Sequence, residues 1–170
     1  MNPTVISATS VAGMKFNIDP LAYLKPTIGV KLSDPKAMPL RAHALDAGAD
    51  LFSTVKEMLY PGEMATVDTG VSVAIPAGYV GLVCSRSGQG KIRVSLTNSI
   101  GVIDATYRGN IKVMLLNEGD EPYEINPYAT KIAQLMIVPV ILPAFKEVQC
   151  SQEEWVMTDR GTNGFGSTNK

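Results

Sequence analysis

Two short polar stretches carry residue types that could do chemistry: SRSGQGK, from Ser85 to Lys91, and GVIDATYRGN, from Gly101 to Asn110. The first offers the Arg86 guanidinium, the Ser87 hydroxyl and backbone N–H groups around Gly88, a donor set that matches phosphate oxygens. The same residues also suit an ordinary hairpin turn with a solvated arginine. In the second, the apolar pair Val102 and Ile103 brings Asp104 to the edge of an apolar surface, where a carboxylate can take a proton from water. Tyr107 follows three positions later, and its ring could lie flat on a sugar. A hairpin with a turn-capping aspartate and a half-buried tyrosine is the plainer alternative.

Three further polar segments interrupt apolar surroundings, where an unexplained polar group is costly. Asp50, in DAGADLFS, could hold magnesium through water, pair with an arginine, or stabilise a turn. Gln134 stands inside the apolar run KIAQLMIV and either braces a sheet or faces a ligand. Asn98 is either a turn residue or a donor and acceptor for a base edge. The chain ends DRGTNGFGSTNK, a glycine-rich segment that nevertheless carries Arg160 and Phe165. Other common machinery is missing: the sequence has no GxxxxGK[ST] phosphate loop and no GxSxG elbow.

The elements that must position these groups read as strands. Ile28, Val30 and Leu32 alternate with small or polar residues, as do Val71, Val73 and Ile75, then Ile92, Val94 and Leu96, then Ile111, Val113 and Leu115. Period two marks strands with one buried face. YVGLVC and KIAQLMIVPV are more continuously apolar and read as strands buried more deeply. Gly- and Pro-rich turns separate the runs, and 11 prolines leave little room for long helices. The expected fold is all-β, a sandwich or barrel of many short strands. Residues 1–26 are small, polar and aperiodic, and residues 144–170 read as a crossing strand or arm that holds the single tryptophan, Trp155.

Bulk properties narrow the function classes. A chain of 170 residues suits one domain with a real core. A net charge of −1 gives no basic excess for nucleic-acid binding, so a phosphate ligand must be held by a few placed groups. One histidine and two cysteines supply neither a zinc site nor a disulfide framework, and they favour a reduced, cytoplasmic setting, or the host-cell cytoplasm if the source is viral. No apolar run reaches the length of a membrane span, and no basic leader precedes a hydrophobic stretch.

Taken together, AGADL, RSG, GVIDATYRG, KIAQL and RGTNGFGST resemble, in order and spacing, the five motifs of the trimeric deoxyuridine triphosphatases, the dUTPases. The resemblance covers roughly residues 28–170 and leaves the N-terminal arm outside it. It implies a jelly-roll-like β-barrel, a homotrimer with shared active sites, and hydrolysis of dUTP to dUMP and pyrophosphate with Mg2+. It implies that Asp104 activates the attacking water and that Tyr107 stacks on the deoxyribose and excludes a 2′-hydroxyl. Asn98, the backbone of Val102, Ile103 and Asp104, and the strand at Lys112 would read uracil. Arg86, Ser87, Gly88 and Gln134 would hold phosphate oxygens, with Asp50 near the metal through water. Arg160, Gly166, Ser167 and Thr168 would close on the γ-phosphate while Phe165 stacks on the base. The expected organisation is an extension over 1–26, a β domain over 27–159 and a lid over 160–170. Ser85, Lys131 and Asn163 depart from residues common in the family, respectively proline, arginine and glycine; the serine is expected to loosen the phosphate loop. Two alternatives are a dCTP deaminase-like enzyme and a dUTPase-fold interaction protein that uses its N-terminal arm on an unidentified partner. The deaminases resemble the third motif but use a glutamate on the strand after it, in a pattern like GxIxLExxN, and here the glutamate position is Met114, which cannot shuttle protons.

Overall fold

A computed structural model describes residues 10–11, 14–15 and 27–164. The strands are β1 (Ser10–Val11), β2 (Met14–Lys15), β3 (Gly29–Leu32), β4 (Ala49–Phe52), β5 (Glu57–Leu59), β6 (Met64–Asp68) and β7 (Val71–Ala74). They continue as β8 (Tyr79–Cys84), β9 (Val94–Leu96), β10 (Ile100–Ile103), β11 (Lys112–Asn117), β12 (Tyr123–Ile125) and β13 (Lys131–Pro139). Two short helices, α1 (Ser87–Lys91) and α2 (Gln152–Trp155), complete the set beside a 3-10 turn at Pro35–Ala37. All strand pairs are antiparallel. The expected all-β class is therefore the observed one. The chain divides into one compact unit through Val140 and a second from Ile141.

The sheet that matters most for chemistry has the order β10-β8-β13-β4. A three-stranded sheet, β6-β11-β9, and the pairs β12-β5 and β3-β7 supply the other walls. Alternation places the core as the sequence predicts at Val71, Val73 and Ile75 and at Ile111, Val113 and Leu115, all at most 3% exposed. Ile28, just before β3, and Leu32 at its end pack against the core while Val30 is 37% exposed. Val94 and Leu96 are buried, yet Ile92, expected on the same face, is 50% exposed. The reason is local: Ile92 caps the C-terminus of α1, and Arg93 adopts φ 57°, which breaks the alternation before β9 begins.

Strands β8 and β13 are two-faced rather than uniformly deep. Gly81, Val83, Ala133 and Leu135 are buried, whereas Val80, Leu82, Met136 and Val138 are half-covered. The register sets Leu82 opposite both Met136 and Val102, and Val80 opposite Val138. Directly opposed residues share a face. The sheet thus presents an apolar surface outward that ends in Ile100 and Val102, 50% and 62% exposed.

Residues 141–164, the described part of the second unit, are mostly irregular. Its helix α2 opens on a reciprocal capping pair: Ser151 Oγ accepts from Glu154 N–H and Glu154 Oε2 accepts from Ser151 N–H. Ile141, Leu142 and Phe145 are 88%, 79% and 97% exposed.

Candidate active site

The expected phosphate residues gather at one end of the four-stranded sheet. Asp50 on β4 lies opposite Gln134 on β13, and Gln134 lies opposite Cys84 at the end of β8. A bulge between Lys131 and Ala133 shifts the register and re-aims the start of β13. Asp50 Oδ1 accepts from Arg86 Nε at 2.7 Å, and its Oδ2 pairs with Lys131 Nζ at 2.8 Å. The Asp50 side chain is 13% exposed, so each oxygen gains a cationic partner in a partly desolvated place. Two cations on one carboxylate leave a net positive spot with a fixed geometry. Lys131, which stands where the resemblance leads one to expect arginine, makes this ion pair.

The SRSG segment is a helical turn, not the alternative hairpin turn. Arg86 is the N-cap of α1, and Ser87 and Gly88 form its exposed first turn, whose N–H groups lack partners inside a helix. Ser85, expected to loosen this loop, is tied twice: its Oγ accepts from Leu96 N–H at 3.3 Å and its C=O accepts from Gln134 Nε2 at 2.9 Å. Gly48 makes room for Gln134, because a Cβ there would overlap the Gln134 Oε1 atom.

Gln89 was not among the expected site residues. It is 3% exposed, donates through Nε2 to the Ile132 carbonyl at 2.9 Å, and accepts through Oε1 from Arg86 N–H at 3.2 Å. One amide thereby fastens the phosphate helix to β13. Its neighbour Tyr123 has a pKa above the usual 10.0: burial raises it, against a hydrogen bond with the Gln89 side chain and the nearby Arg86 charge. The signal in the sequence was a polar residue straight after RSG, but the carbonyl it donates to is 43 positions away. Gln89→Leu orphans a buried carbonyl and should cost about 1–3 kcal/mol of stability, read from urea unfolding. An unchanged midpoint would show that the bond contributes nothing.

The remaining expected residues lie before, on and after β10. Asn98 precedes Ser99, which has φ 60°, and this tight turn carries the Asn98 amide nitrogen to 3.5 Å from where a Gly101 Cβ would stand. The amide therefore lies over Gly101 of β10, on the face opposite the exposed Val102. Asp104 follows directly after β10, exposed, with its C=O accepting from Tyr107 N–H at 3.0 Å. The Tyr107 ring is 44% exposed, and its hydroxyl donates to the Asn110 carbonyl at 3.0 Å. Lys112 is exposed at the start of β11, opposite Asp68.

The structure does not bring Asp104 to the expected phosphate residues within one chain, whereas Asn98 precedes the end of β10 that pairs with Cys84. Asp104 follows Ile103, which pairs with Gly81, while Arg86 follows Cys84, which pairs with Ile100. They leave the β8–β10 ladder at opposite ends, about six strand positions apart, or roughly 20 Å. In the second unit, Arg160 is exposed and its Nε donates to the Asn163 carbonyl at 2.8 Å, closing a turn on itself. Phe165, Gly166, Ser167 and Thr168 lie outside the described residues. Among the described residues no cluster of three or more His, Cys, Asp or Glu could hold a metal, and no helix is long and apolar enough to cross a membrane.

Comparison with known proteins adds an independent line. The family model of dUTPase matches residues 34–169. A deoxyuridine 5'-triphosphate nucleotidohydrolase of Corynebacterium diphtheriae is 43% identical over 148 residues, covering 85% of this chain and 94% of the relative. The dUTPase of Staphylococcus bacteriophage 80alpha, solved with dUPNHPP, superposes with a TM-score of 0.74 at 34% identity, over 85% of this chain and 99% of that one. A mutant dUTPase of S. aureus phage phi11, whose structure describes coordination of a structural Mg(II) ion, gives 0.66 at 34% identity, over 73% and 97%.

Proposed function

The chain belongs to the dUTPase family, with its jelly-roll-like all-β fold, and we propose from that premise and the geometry of the two clusters that it cleaves dUTP to dUMP and pyrophosphate. The observation that carries the reading is the exposed Asp104 carboxylate, set at the end of an apolar strand three residues before an exposed tyrosine ring. Asp104 takes a proton from water as the water oxygen bonds to the α-phosphorus. The bond from the α-phosphorus to the bridging oxygen breaks, and pyrophosphate leaves. Such a reaction needs alignment and charge neutralisation more than covalent help. Arg86, the first turn of α1 and Lys131 provide that charge. Gln134 braces the loop through Ser85, and Asn98 with the β10 backbone reads the uracil edge. Residues 160–170 act as a lid that carries Arg160 and Phe165 to the nucleotide, beyond a β domain at 27–159 and an extension at 1–26.

Magnesium fits this arrangement only in company with the substrate. Both Asp50 oxygens already face cations, yet each keeps a lone pair that can accept from a metal-bound water. The ion would be held by the triphosphate and touched by Asp50 through water, supplying neutralisation of the phosphate oxygens.

A homotrimer with shared sites accounts for three features. The phosphate and base-activating groups lie at opposite ends of one sheet; the sheet shows an apolar face outward; and the arm after Val140 exposes Phe145 almost fully. A second chain brings the two halves of a site together and covers that apolar surface. The enzyme would act on free nucleotide in the cytoplasm. The deaminase alternative is disfavoured by Met114, which sits 37% exposed on β11.

Assaying pyrophosphate release from each deoxynucleoside triphosphate with magnesium tests the activity. Release from dUTP alone is expected. Ammonia from dCTP, without pyrophosphate from dUTP, would overturn the reading.

A further inference from the structure

Tyr107 is held in place by a device that the expected motif residues do not include. Its hydroxyl bonds the Asn110 main chain, and Asn110 is itself pinned by its side chain: Ser72 Oγ donates to Asn110 Oδ1 at 2.8 Å, and Asn110 Nδ2 reaches Asp68 Oδ2 at 3.4 Å. Asp68 in turn accepts from Gly70 N–H through Oδ1 at 2.7 Å. Ser72 is 8% exposed, so the anchor for an exposed ring is rooted in the core. Gly109 completes the arrangement, because a Cβ there would collide with the Tyr107 hydroxyl and ring. The ring is therefore folded back over its own turn, with its hydroxyl end both hydrogen-bonded to Asn110 and lying where a side chain at residue 109 would stand.

We propose that Asn110 is a positioning residue for sugar selectivity, acting through the Tyr107 hydroxyl. This rests on the dUTP reading and deepens it. A ring that lies against C2′ rejects a ribose only while it cannot tilt away. One hydroxyl-to-carbonyl bond resists that tilt, and the Ser72–Asn110–Asp68 chain keeps the carbonyl where the hydroxyl needs it. The deoxyribose requires no extra room, so loosening the ring admits UTP more than it harms dUTP.

The test compares kcat/KM for dUTP and UTP in the full-length protein, Asn110→Ala, Tyr107→Phe and the double variant. Each single variant should lower the dUTP-to-UTP preference by about fivefold, the worth of one hydrogen bond. The double variant should match Tyr107→Phe alone, because Asn110 has no other route to the sugar. If Asn110→Ala does not fold, Ser72→Ala removes one of the two anchors and should shift the same ratio in the same direction. An unchanged ratio in Tyr107→Phe, equal losses on both substrates, or additive effects in the double variant would overturn the proposal while dUTP cleavage stands. No cleavage of dUTP by the unaltered protein would instead sink the reading beneath it, and the proposal with it.

Discussion

Asp104→Asn should lower kcat for dUTP by about 10²- to 10⁴-fold, the usual worth of a positioned general base. The amide keeps the shape and the hydrogen-bonding reach of the side chain but cannot take a proton. Asp104 is exposed, and its carboxylate enters none of the ion pairs among the described residues. Removing its charge therefore leaves no buried partner stranded, and the melting temperature should not move. KM should change little, because binding of the base and phosphates uses other groups. A near-normal kcat, measured by pyrophosphate release, would remove Asp104 from its role. A lower melting temperature would make it structural instead.

Mixing two inactive variants should restore activity. Arg86→Ala removes the guanidinium proposed to hold phosphate and leaves Asp50 with Lys131 alone; Asp104→Asn removes the proposed base. If Asp104 of one chain works with Arg86 of its neighbour, some sites in a mixed assembly receive an intact residue from each. With random mixing at equal amounts, half the contributions of each kind are intact, so about a quarter of sites are complete. Coexpressed and copurified, the pair should show about a quarter of the unaltered activity, against about 1% or less for either variant alone. No recovery would place both residues in one chain's site and contradict the separation of roughly 20 Å along the ladder.

The sequence made the core face readable in two runs of alternation, though not at Val30, which is exposed within a third. Val71, Val73 and Ile75 are one such run; Ile111, Val113 and Leu115 are another. It failed at Ile92 because a single positive φ at Arg93 resets the phase, and alternation carries no mark of that. It missed α1 because five residues make less than two helical turns, too short for a 3.6-residue period to declare itself. The residue types of the site were legible, but their companions were not. Asp50 meets Arg86 across 36 positions, and Gln89 meets Ile132 across 43. Nothing local distinguishes a polar residue that will find a buried partner from one that will face water. Nor could motif order reveal that Asp104 and Arg86 leave a ladder at opposite ends, because that depends on register alone.

The place of β13 has a consequence for how the chain comes to exist. It is the last of the described strands to be synthesised, yet it lies inside its sheet, between β8 and β4. Until residue 139 has emerged, β4 has no partner in that sheet and β8 has only β10. Closing the sheet joins segments far apart in sequence, a slow step for any chain. During that wait, two apolar strands expose unpaired edges, which is the state most open to pairing with the wrong chain. Overproduction should therefore meet its limit during synthesis, before the finished protein's stability matters.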